Sequence, residues 1–137
     1  MPVEVELLRN DRLVVYTWAD PVSNDDFTGA FDSVAPLYRE TTRPIHSIQV
    51  AYKVTNLPPN VLGTVLRMSN SPLVHPMSGT VVVVTTNSFV RTMVQTAAKL
   101  RRKGKLQVTA TLDDALAKID QILLEETSYI DPDQFQK

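Results

Sequence analysis

Between residues 3 and 8, Val3, Val5 and Leu7 alternate with Glu4 and Glu6, and that period of two predicts a half-buried strand. Arg9-Asn10-Asp11-Arg12 follows, where Asn and Asp tolerate the positive φ of a tight hairpin. Residues 13–19, LVVYTWA, are rich in β-branched and aromatic side chains on both faces and predict a second strand. Asp20-Pro21-Val22 breaks it, and Ser23 with Asp26 has capping-box spacing. Phe27, Ala30, Phe31, Val34 and Tyr38 then recur every three or four residues, the stripe of an amphipathic helix. Pro36 is expected to bend or shorten that helix, because it lacks the N–H that would bond one turn back.

Residues 45–54 predict a third strand with unequal faces. Ile48, Val50, Tyr52 and Val54 share one side; Ser47, Gln49 and Lys53 share the other, with Ala51 its only apolar member. The first side is expected to be covered and the second to face solvent. A shorter helix is predicted from Val61 to about Met68, with Pro59 suited to its first turn. Thr80-Val-Val-Val-Val-Thr-Thr86 reads as a central strand buried on both faces. Asn87 or Ser88 caps the next helix, whose inner face would be Val90, Met93, Val94, Ala97 and Leu100, with Gly104 at its C-terminal cap. Leu106, Val108 and Ala110 alternate with polar residues in a fifth, edge strand. Thr111 and Asp114 then cap a last helix carrying Leu112, Ala115, Leu116, Ile119, Ile122 and Leu123.

The element order is β-β-α-β-α-β-α-β-α. It predicts an α/β fold: one mixed, mostly parallel five-stranded sheet. If the parallel strands follow in spatial sequence, right-handed crossovers put the helices on one face. Residues 1–126 make one domain and 127–137 a polar C-terminal tail.

Composition narrows the classes. The chain has 137 residues, 14 basic and 15 acidic, so it lacks the positive excess of a nucleic-acid binder. Without cysteine it has no disulfide and no thiolate chemistry. The acidic N-terminus is unlike a signal peptide, and the longest apolar run, near Val81–Val84, is too short to span a bilayer. A cytoplasmic location without a membrane span is the resulting expectation.

Three stretches carry a family resemblance: Ile45–Val54 leading to a loop and helix, the Thr80–Thr86 strand, and Val108-Thr-Ala-Thr-Leu-Asp-Asp-Ala-Leu116. In these the chain resembles the STAS, or anti-sigma-factor-antagonist, fold, and more closely the SpoIIAA-like group of small bacterial proteins. The resemblance implies a regulatory domain that meets protein partners. Phosphoregulated members of that family carry Asp-Ser-Ser/Thr-Gly at the start of the second helix. Here the nearest stretch is Leu57-Pro58-Pro59-Asn60, which has no hydroxyl, so the phosphorylation switch does not carry over.

Candidate chemistry is sparse. His46 and His75 have no metal-ligand spacing and no carboxylate placed beside them by sequence, so both read as incidental. Asp20, Asp25 and Asp26 cluster after the second strand, where turn and cap roles explain them. Asp20, Asn56, Thr86, Asn87 and Ser88 fall at the carboxyl ends of strands, the usual ligand edge of an open α/β sheet. They form the candidate ligand-binding row, against the plainer reading that Asn87 and Ser88 are helix caps. Lys99, Arg101, Arg102, Lys103 and Lys105 form a candidate basic patch, against the plainer reading of a solvated helix terminus. Leu57, Leu73, Val74, Met77, Tyr129, Ile130 and Phe135 lie in loops or the tail; they cover the domain's own edge or pack on a second copy as a homodimer. No metal site, cofactor fingerprint or nucleophile–base pair is visible. The first expectation is therefore a non-enzymatic regulatory or interaction module, and the second a small-ligand or lipid-binding domain with a pocket between helices and sheet at the carboxyl ends of the strands.

Overall fold

A computed structural model describes residues 3–99 and 105–128. The hairpin forms first: β1 (Val3–Leu8) runs antiparallel to β2 (Leu13–Ala19), with Leu8 opposite Leu13. Arg9, Asn10 and Asp11 turn the corner at φ of 56°, 56° and 63°, a left-handed run in which Arg9 joins the two residues expected there. Then come α1 (Asn24–Glu40), β3 (Ile45–Lys53), α2 (Val61–Leu66), β4 (Ser78–Val84), α3 (Ser88–Ala98), β5 (Leu106–Thr109) and α4 (Leu112–Ser128).

The five strands stand side by side in chain order, β1-β2-β3-β4-β5, and every pair after the first is parallel. The fold is thus α/β with a single mixed sheet. The Ser23–Asp26 capping box forms with both of its hydrogen bonds, and α1 continues through Pro36 to Glu40 without being shortened. The helix after β3 is shorter than its sequence pattern, stopping at Leu66, and β4 starts two residues earlier than the valine run suggests. The last helix runs through Ser128, beyond the expected boundary at 126. Arg101, Arg102, Lys103, Gly104 and the tail residues Tyr129, Ile130 and Phe135 lie outside the described residues.

The helices divide three to one across the sheet. α1 and α2 pack on Val14, Tyr16, Trp18 and Ala51, and α3 packs on Val81, Val83 and Leu106 of that same face. Three consecutive crossovers of one hand between neighbouring strands produce this placement. The opposite face, Leu13, Val15, Ile48, Val50, Val82 and Val84, is covered by Ala115 and Ile119 of α4. α4, the last element among the described residues, closes the side that the crossovers leave open. This corrects the expectation of a solvent-facing sheet surface. The polar side of β3, with Ser47 and Ala51 buried, lies beneath the three helices instead. Among the described residues no helix is long and apolar enough to cross a membrane.

Candidate functional site

The unequal faces of β3 adjoin an apolar cavity. On the three-helix side β3 presents Ser47, Gln49 and Ala51, which project less apolar bulk than the Ile48 and Val50 of its other side. Between this thin strand and the helices lies a cavity of about 130 Å³. Its floor is Trp18, Gln49, Ala51, Val81 and Val83, and its walls come from Phe27 and Phe31 of α1, Val61 and Val65 of α2, and Val90 and Val94 of α3. Leu57, Leu62, Leu73 and Met93 also line it and are only half-buried, which puts its rim beside α2 and α3.

Two polar side chains touch this space, Gln49 and Ser71, and no lining residue is charged. Ser71 Oγ accepts from the Leu73 N–H at 3.1 Å inside the turn that follows α2. Gln49 Oε1 accepts from the Trp18 indole N–H at 2.7 Å. Trp18 is further held between rings: its centroid is 4.8 Å from that of Phe27 and 6.1 Å from that of Tyr16. Both members of the Trp18–Gln49 pair are therefore oriented by contacts within the protein. An apolar cavity of similar size stays dry and can admit a benzene-sized molecule.

The α2 wall is held by few local bonds. α2 has six residues, and Asn60 precedes it at φ 55° with no side-chain cap bond. The Asn60 side chain leans over Gly63, where a Cβ would meet Asn60 Oδ1 at 2.8 Å. Glycine keeps that close approach open.

The candidate row at the carboxyl ends of the strands is taken up by local bonding. Asp20 accepts from both the backbone N–H and the hydroxyl of Thr55, tying the end of β2 to the segment after β3. These bonds hold the Asp20 carboxyl below its ordinary value. Asn56 is exposed and its amide reaches only Thr55 Oγ1, at 3.5 Å. Asn87 caps α3 by accepting from the Val90 N–H, while Thr86 and Ser88 are exposed beside it. None of the five lines the cavity. Of the basic patch, Lys99 caps the end of α3 and is exposed, and Lys105 is half-buried.

A second constellation forms at the amino ends of the strands, where sequence spacing indicated nothing. His46, 1% exposed, accepts the Thr80 N–H on Nδ1 at 2.9 Å. The proton therefore sits on Nε2, which donates to Glu126 Oε1 at 2.8 Å. Glu126 Oε2 accepts from Arg12 at 2.6 Å, and Arg12 also donates to the Pro44 carbonyl. Burial, only partly offset by Glu126, pushes the His46 pKa below its ordinary value. Burial works against ionising Glu126, yet Arg12 and His46 together keep its carboxyl below the usual range. The partner of His46 is 80 residues away in sequence, so only folding brings the two together. With the ring wholly enclosed, this is an anchor for α4 more than a place for substrate. His75 stacks on Tyr38, with centroids 4.4 Å apart, and its Nδ1 accepts from the Met77 N–H. It stands at this same end of the sheet, remote from Asp20 and Asn87. Among the described residues no three His, Asp or Glu side chains come together as a metal site.

No family model matches the chain, and no curated protein or solved structure matches it. The cavity geometry consequently carries the functional reading.

Proposed function

We propose that this domain is a STAS-like regulatory module whose input is a small apolar molecule held in the cavity between the sheet and α1–α3. The observation that carries the reading is the uncharged cavity of about 130 Å³ over Gln49 and Ala51. A close-packed interior leaves few voids larger than a water molecule, and a largely apolar space between sheet and helices is a usual place for a small ligand. Its rim beside the short α2 offers a way in. A protein contact made by the helices would report occupancy, in keeping with the role that the family resemblance implies.

Trp18 is the only tryptophan of the chain and stands on the cavity floor, so its fluorescence is a local reporter. Iodobenzene, whose heavy atom quenches indole emission on contact, should quench Trp18 saturably. Ala51→Leu places a larger side chain on the floor; it should abolish saturable quenching while changing stability by no more than about 1 kcal/mol, as cavity-filling substitutions commonly do. Quenching that rises linearly with concentration and is the same in both proteins would remove this reading.

A further inference from the structure

We infer that the hydroxyls of Tyr16, Tyr38, Ser47 and Ser78 form a binding site for an internal water molecule, which ties α1 to strands β2, β3 and β4. The site is separate from the apolar cavity, since none of these four residues lines it. It does not depend on that cavity holding a ligand.

Tyr16 is 0% exposed, Tyr38 2% and Ser47 0%, and the Ser78 hydroxyl oxygen is likewise out of reach of solvent. On the three-helix face of β3, Ile45, Ser47 and Gln49 follow one another. Ile45 pairs with Ser78 of β4 and Gln49 with Tyr16 of β2. Ser47 therefore stands between the rows that carry Ser78 and Tyr16. The Tyr38 hydroxyl, from the last turn of α1, lies close enough to those of Tyr16 and Ser78 for both to influence its ionisation. Yet among the described residues no hydrogen bond of normal geometry is made by any of the four hydroxyls.

Buried hydroxyls almost always find a partner, because leaving one without costs the full desolvation of the group. Burial pushes both phenols up, Tyr38 to about 12, so each is a neutral hydroxyl that can donate and accept. Four groups of this kind carry no charge with which to hold an ion. They match water, which both donates and accepts, and which when buried makes about two to four bonds to polar groups that the fold leaves over. Ser47 and Ser78 are small where Val14, Ile45 and Val81 beside them are branched, so less of the layer beneath α1 is filled at this point.

Tyr16→Phe and Tyr38→Phe test the site by the sign of their effect. Removing an orphaned hydroxyl raises stability, whereas removing one that holds a water lowers it. Each variant should therefore lower the folding equilibrium constant roughly three- to tenfold in urea denaturation, the net worth of one neutral hydrogen bond. Oxygen-17 relaxation dispersion of the solvent should report a long-lived water in the wild type, and lose the amplitude of a single molecule when both phenols are replaced. Unchanged or higher stability in either variant, or an unchanged dispersion in the double variant, would overturn the inference. If the variants do not fold, a high-resolution crystal structure of the wild type decides. An ordered oxygen within hydrogen-bonding distance of Tyr38 and of at least one other of the hydroxyls is expected; hydroxyls bonded directly to one another, with nothing between them, would sink the idea.

Discussion

On the α4 side of β3 stand Ile48 and Val50, clamped by Ala115 and Ile119, all within a few per cent of complete burial. On the other side Ser47, Gln49 and Ala51 meet three helices and leave a cavity. The two faces share one backbone and are both covered, so the difference is one of side-chain bulk. The filled face resists any change of volume. The thin face tolerates change, because space already exists there. Close packing and open space are in this way assigned to opposite sides of one strand.

The largest expected effect lies on the filled face. Ile119→Ala should lower stability by about 2–5 kcal/mol, the usual range when a buried Ile is truncated and the site relaxes only partly. Val65→Ala, beside the cavity, should cost about 1–2 kcal/mol, mainly the transfer of the removed methyl groups. Urea denaturation of both proteins checks the contrast; losses equal per carbon removed would mean that the two faces are equally filled.

Gly79→Ala tests the amino end of the same strands. A Cβ there would collide with the His46 ring, and His46 cannot swing away without breaking its bonds to Thr80 and Glu126. A loss of about 1–3 kcal/mol is expected from overpacking, measured as a lower urea midpoint. A variant as stable as the wild type would show that the ring is not fixed.

The smallest effect is one of pH. His46 and His75 both have pKa values below the ordinary histidine value, so the unfolded chain takes up protons before the folded one does. Their contribution to stability is complete above the unfolded value, near pH 6.5, and is lost as pH falls toward the folded values. Protonating His46 also turns Nδ1 into a donor facing the Thr80 N–H. The urea midpoint should therefore fall between pH 7 and pH 5, while the affinity of the uncharged cavity for iodobenzene stays level across any pH range in which the protein remains folded. A midpoint that rises on acidification would break the assignment of His46 as a neutral anchor.

Much of this was legible along the chain because it depends on local periodicity. The hairpin, the nine elements in order, the capping box at Ser23 and the cap at Asn87 all follow from residues within a turn or two of one another. The asymmetry of β3 was equally visible, as was the doubly buried β4. For β3 the signal that pointed to a cavity was present: a parallel strand between two others should be apolar on both faces, and Ser47, Gln49 and Ala51 depart from that. Period alone cannot say whether such a departure faces water or an interior space.

That question was settled in three dimensions. Chain-order pairing sent α1, α2 and α3 to one face, and α4 packed on the other. Burial of the thin side of β3 follows from that topology, and so does the pairing of Trp18 with Gln49, 31 residues apart. His46, Glu126 and Arg12 likewise meet only because α4 folds back across the sheet. Local sequence determined which segments form strands and helices, since each is stabilised largely by its own periodic face and caps. The cavity, its oriented amide and the enclosed histidine belong to tertiary structure, because each needs side chains that only the packed sheet brings within a few ångströms of one another.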